Sequence, residues 1–250
     1  MDDNYFNFPI VLIRGFMNDT RKCLDDVFDY CIYEFSKGNS DEETREFFRI
    51  LTYNREKSMK HGKELYGSVK NEAYTGLSVS LFWQYYKEYK TDMDKITLLA
   101  FLAIKSIVGK RVCCKVTNQN LIYCRMAGFT NIQESLPKEI AEYCTRWKFE
   151  KIKTDLKEYY SVSFYAFHTR GQYISTKVDF ETLCRIAEEQ KMKGRMARQR
   201  KSEKEAREQV RNDLFNYSTY NKEKCTLPTQ NLHIANTKPT PKIIQVNNPK

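Results

Sequence analysis

Apolar residues recur at helical spacing over Cys23, Leu24, Val27, Phe28, Cys31, Ile32 and Phe35, which predicts an amphipathic helix opened by Asp19 or Thr20 and stopped by Gly38 and Asn39. Ser40 and Glu43 have capping-box spacing and open a short helix carrying Phe47 and Phe48. Thr52–Asn54 reads as a turn, and Arg55–Tyr66 as a further helix with Met59, Gly62, Leu65 and Tyr66 inward. Two β-favouring runs within Ser68–Ser80 read as a small hairpin.

A second set of elements begins at Thr91 or Asp92. Ile96–Val108 is a strongly apolar helix ended by Gly109, and Arg111–Val116 is a short β-prone run. Thr117 caps a helix reaching about Ala127, stopped by Gly128. After a polar loop, Pro137 opens a small helix with Ile140, Ala141 and Tyr143. In Thr145–Tyr160, Phe149, Ile152, Leu156 and Tyr159 share a face. Ser161–Val178 has two β-branched or aromatic arms about a turn at His168–Gly171, a second hairpin.

Asp179–Phe215 begins as an amphipathic helix and becomes dense in charge from Lys191 to Arg211. Asn216–Lys250 lacks hydrophobic periodicity and is expected to be disordered. The predicted class is mainly α with small β-hairpins (α+β). Its parts are an acidic helical domain (1–93), a second domain (94–178), a charged basic helix (179–215) and a tail (216–250).

Charge sharpens this division. The net charge of +10 is unevenly spread: 13 Lys and Arg face 17 Asp and Glu through residue 94, and 29 face 15 beyond it. Such asymmetry suggests that the C-terminal part meets a polyanion. The acidic start, Met1–Leu12, has no long apolar core and predicts no signal peptide. No apolar run approaches the roughly 18 residues of a membrane span. The eight cysteines form no CxxC pair and read as reduced thiols of a cytoplasmic protein without a membrane partner.

Catalytic chemistry finds little support. His61, His168 and His233 form no metal-ligand pattern, so no metal and no cofactor is expected. Walker, GxSxG and GxGxxG motifs are missing. Asp155 and Lys157 mimic only a fragment of a nuclease motif, and the 17 tyrosines lack the His pairs that commonly clamp a metal for strand nicking. A non-enzymatic protein is expected.

The order helix, short strand, helix, helix, hairpin over Asp94–Val178 resembles the winged-helix DNA-binding family. Residues 19–80 outline a degenerate second copy, so either one winged helix-turn-helix or two in tandem is implied. The connection Phe129–Cys144 departs from the family by its length and its extra small helix. More weakly, the chain resembles tandem winged-helix replication initiators of plasmids, phages or other mobile elements, with Phe8–Gly15 (FPIVLIRG) adding to the likeness.

The family resemblance implies that Thr145–Tyr160 enters the major groove of double-stranded DNA and that the hairpin touches backbone or minor groove. Helical mapping puts Trp147, Lys151 and Thr154 opposite the apolar face, flanked by Arg146, Lys153 and Lys157. Glu150, Asp155 and Glu158 make the helix mixed in charge. Further cations are His168 and Arg170 at the wing tip, Lys177 at the hairpin end, Lys110, Arg111 and Lys115 around the short strand, and Arg125 on the second helix. The basic run Lys191–Arg211 adds an arm suited to phosphates. Replication initiation or transcription regulation of a mobile element is expected, with a homodimer or a replication or transcription partner. The alternative is a structural, protein-interaction scaffold whose charged helix is a strut. A third reading is RNA binding by stacking on Trp147 and Tyr165.

Overall fold

Phe6 and Phe8 alternate with Asn7 in strand β1 (Tyr5–Pro9), which pairs antiparallel with β2 (Tyr74–Ser78), placing Tyr5 opposite Ser78 and Pro9 opposite Tyr74. In the computed structural model, which describes residues 3–69, 71–166 and 171–225, β1 passes into a 3-10 turn over Ile10–Ile13. The hairpin expected within Ser68–Ser80 is therefore corrected. Its β-favouring residues supply one strand, whose partner comes from the chain start, and this segment completes no second wing. A long-range pairing of this kind leaves no local turn signal to read.

Helix α1 (Thr20–Phe35) is capped by Asp19, which accepts from the Lys22 amide, and α2 (Asp41–Phe48) by the Ser40–Glu43 box. Helix α3 (Arg55–Ser68) starts at Asn54 and crosses α1 closely. Gly62 permits the approach, because a Cβ there would strike the Asp29 carbonyl and the Tyr33 side chain. Helix α4 (Val79–Lys87), capped by Ser78, was not read from the sequence. Its Phe82 and Trp83 join Phe6, Phe28 and Phe48 in an aromatic cluster, with Phe6 and Phe82 centroids 5.5 Å apart.

Helix α5 (Asp92–Val108) lies at the centre. Every residue from Ile96 to Ile104 is buried. It packs against β2, the 3-10 turn and several of the elements that follow it, α6 and α8 foremost. The chain continues through β3 (Lys115–Thr117), α6 (Gln119–Met126), the short α7 (Lys138–Ala141), α8 (Arg146–Tyr160), β4 (Ser163–Ala166) and β5 (Gln172–Ser175). The cap of α6 is Asn118, not Thr117. One hydrophobic core runs from Phe6 to Ile174 across the expected boundary at residues 93 and 94, and one compact unit extends through Met192.

The three strands are antiparallel in the spatial order β3-β5-β4. Ile174 and Phe164 face the main core; on the other side, Tyr173 packs with Cys114, Leu183 and Ala187. Leu183 and Ala187 belong to α9 (Phe180–Cys225). The early turns of the expected charged helix therefore cover this small sheet. From Lys193 a second unit begins, whose helix carries ion pairs Lys201–Glu205 (3.7 Å) and Lys204–Glu208 (3.8 Å). The expected tail starts too early, because 216–225 continue α9. Missing periodicity argues against burial, not against a helix, and no Gly or Pro interrupts 195–227. The rest of the expected tail lies outside the described residues. No helix among the described residues is long and apolar enough to cross a membrane.

Candidate nucleic-acid interface

Helix α8 is fixed on one side and free on the other. Phe149, Ile152 and Leu156 are buried against the core. The fourth inward residue is Tyr160 rather than Tyr159. Tyr160 stacks on Phe101 at 4.4 Å, and its hydroxyl lies 3.2 Å from that of Tyr85. Tyr159 is 69% exposed. Ser161, in the left-handed region at φ 53°, ends the helix.

Opposite the buried side, Trp147, Lys151, Thr154 and Glu158 form an exposed stripe at spacings of four, three and four residues. Trp147 is 84% exposed. Arg146 and Lys157 are also exposed. Among the described residues, Arg146, Lys151 and Lys157 have no carboxylate within ion-pair distance. Lys153 behaves differently. Its side chain is only 16% exposed and its ammonium lies 2.9 Å from Glu150, near the Phe149 and Phe164 rings. Lys153 therefore leaves the candidate contact set, because its aliphatic stem lies along apolar surface. Glu158 closes the stripe with a negative charge at its C-terminal end.

The first turn of α8 is open. Thr145 makes no side-chain cap bond and no acidic residue follows in the first turn. Uncapped amides and the positive end of the helix dipole favour an anion beside Arg146 and Trp147. The unusual insert Phe129–Cys144 leaves this face clear. Ile140 buries into the core, and Glu142 and the Tyr143 ring meet α8 at Lys148 (3.1 Å and 5.1 Å), which is not part of that stripe.

Lys110, Arg111 and Lys115 are exposed. The loop bearing the first two is held from beneath: the Lys177 ammonium donates to the carbonyls of Lys110 (2.7 Å) and Val112 (2.8 Å), and the Ser175 hydroxyl to that of Cys113 (2.6 Å). Lys177 is thus a positioning residue with two of its three donors engaged, which charge counting could not reveal. His168 and Arg170 lie outside the described residues.

Arg125 is half-buried, and its Nε and Nη1 atoms are buried without a hydrogen-bond partner among the described residues. Burial pushes its pKa down, while Glu72 opposes that shift. The Glu72 carboxylate also accepts from the Thr130 hydroxyl, which in turn accepts from the Ala73 amide at 3.1 Å. Arg125 is therefore an interior charge and is withdrawn from the candidate phosphate contacts. Tyr165 donates to Glu188 at 2.7 Å and is tied to α9, so Trp147 is the better stacking candidate of the two aromatics.

Among the described residues, no group of three or more His, Cys, Asp or Glu side chains is placed to hold a metal ion. No protein-family model, no curated protein and no solved structure matches this chain, so the reading of this surface rests on its own residues.

Proposed function

We propose that residues 94–178 bind duplex DNA as a winged helix, α8 entering the major groove, and serve replication initiation or transcriptional control of a mobile element. The helix order, the strand order β3-β5-β4 and the strand pairing β4–β5 support this reading. The observation that carries it is the outer side of α8: an exposed Trp147, three cations without ion pairs among the described residues and an open N-terminal turn. Lys110, Arg111 and Lys115 supply further phosphate contacts from the rigid loop and β3, and the basic stretch of α9 adds a non-specific term.

Fluorescence anisotropy with duplexes from the surrounding genome tests this. Affinity should fall steeply with salt and differ between sequences, and Arg146→Ala or Lys151→Ala should each weaken binding about fivefold or more, on the order of 1 kcal/mol. Salt-insensitive binding, or full affinity in the double variant, would overturn it.

One observation favours a protein-interaction scaffold as the second reading. From Lys193 on, α9 bears regularly spaced i,i+4 ion pairs and exposes Met196, Val210 and Leu214, as a strut meeting another protein would. This reading predicts partner capture that survives salt and no duplex affinity.

A further inference from the structure

A groove of about 600 Å³ is bounded by the β1–β2 sheet, the last turn of α5 and the segment after β5, with Tyr5, Glu34, Tyr74, Lys105, Lys110 and Lys177 on its walls. Its volume is within the range of small-molecule sites.

Lys105 is the unusual member. Its side chain is half-buried, and its ammonium sits 4.2 Å from the Tyr5 ring centroid and 5.2 Å from that of Phe101. Among the described residues it has no carboxylate within 4.0 Å and makes no hydrogen bond. Ring faces attract a cation but offer it no hydrogen-bond acceptor, so on its open side the ammonium faces the groove. Burial, aided by the neighbouring Lys110 charge, holds the Lys105 pKa down to about 8. Among the described residues, Lys105, Lys110 and Lys177 outnumber the one carboxyl on the groove, Glu34, whose pKa burial raises, and together they leave a place for an anion. The Lys177 ammonium, which donates to the Lys110 and Val112 carbonyls, adds a third positive charge beside the groove. Tyr5 and Tyr74 offer partly exposed rings along the same groove.

We propose that this groove binds a nucleoside phosphate, the phosphate between Lys105 and Lys110 and the base against Tyr5 or Tyr74. The phosphate supplies the acceptors that Lys105 lacks, and the aromatic walls suit a planar base. The same chemistry is carried by a free mononucleotide and by the 5′-phosphorylated end of a strand. The inference does not depend on duplex recognition by α8.

Calorimetry with the full chain separates the outcomes. AMP should bind saturably and at least tenfold more tightly than adenosine, and Lys105→Met should weaken AMP at least tenfold with an unchanged circular dichroism spectrum. Preference for AMP over a 5′-phosphorylated oligonucleotide assigns the free nucleotide; the reverse preference, lost on removing the phosphate, assigns a strand end. A second measurement needs no variant. The Lys105 amine should condense with the aldehyde of pyridoxal phosphate, losing water to form an imine that borohydride reduces to a secondary amine. Peptide mass spectrometry should place the label on Lys105, and AMP should protect it. No saturable binding of either phosphate-bearing probe, equal AMP affinity in Lys105→Met, or labelling that AMP does not block would overturn the proposal.

Discussion

Helices α5 and α8 are similar in length, both follow a threonine, and they do opposite things with their surfaces. Nearly all of α5 beyond its first turn is interior, and its N-terminus is closed: Thr91 accepts from the Asp94 amide (3.2 Å) while the Asp94 carboxylate accepts from the Thr91 amide (2.9 Å). Helix α8 buries three residues, begins Arg146-Trp147-Lys148 and has a first turn without a side-chain cap. The contrast shows what each is free to do. A helix buried from Ile96 to Ile104 and capped at its start organises the core, and only its last turn, at Lys105, reaches a groove. A helix anchored along one narrow side keeps its outer stripe and its amides for a partner.

The largest effect that would test this contrast is in α5. Leu99→Ala should cost about 2–5 kcal/mol in urea denaturation, because a fully buried side chain leaves a cavity. A loss below about 1 kcal/mol would mean that α5 is not the organising helix.

The next comparison lies within α8. Lys151→Ala should weaken duplex binding about fivefold and lower the salt slope by about one, whereas Lys153→Ala should leave the slope unchanged, since Lys153 is already paired with Glu150. Equal effects would show that the outer stripe does not select the contacts.

The two caps differ in a similar way. Thr91→Ala should cost about 1 kcal/mol and Thr145→Ala a few tenths, measured by the same denaturation. The Thr91 hydrogen bonds hold the Asp94 carboxyl below its usual value of 3.8. Ionised Asp94 therefore stabilises the fold at pH values above 3.8, and this contribution is lost as the pH falls through the lower folded value. Asp94→Asn should accordingly cost stability at pH 6, and the gap from the parent should shrink as the pH drops to 3. A gap that widens on acidification would contradict the sign.

The smallest change is expected for Trp147→Ala, within about 0.5 kcal/mol in stability because the indole is mostly in water. Its duplex affinity should nevertheless fall. A destabilised variant would place the indole in the core instead.

Local chemistry was legible where neighbours in sequence are neighbours in space. Ser40 caps its helix as its spacing implies, Asp19 and Thr91 are the caps out of the pairs Asp19 or Thr20 and Thr91 or Asp92, and Phe149, Ile152 and Leu156 face inward at helical period. The exposed stripe of α8 follows from the same period. The pairing of β1 with β2 brings together segments about seventy residues apart, and no short-range pattern encodes that. Nor does residue type say where a long cationic side chain ends. Lys153 folds back onto Glu150, Arg125 turns inward near Glu72, Lys177 braces a loop and Lys105 lies in a groove. Periodicity and capping act over one or two turns, so the chain itself encodes its helices and their faces. The direction of each flexible side chain, and hence which charges remain for a ligand, depends on atoms that only the packed structure brings near.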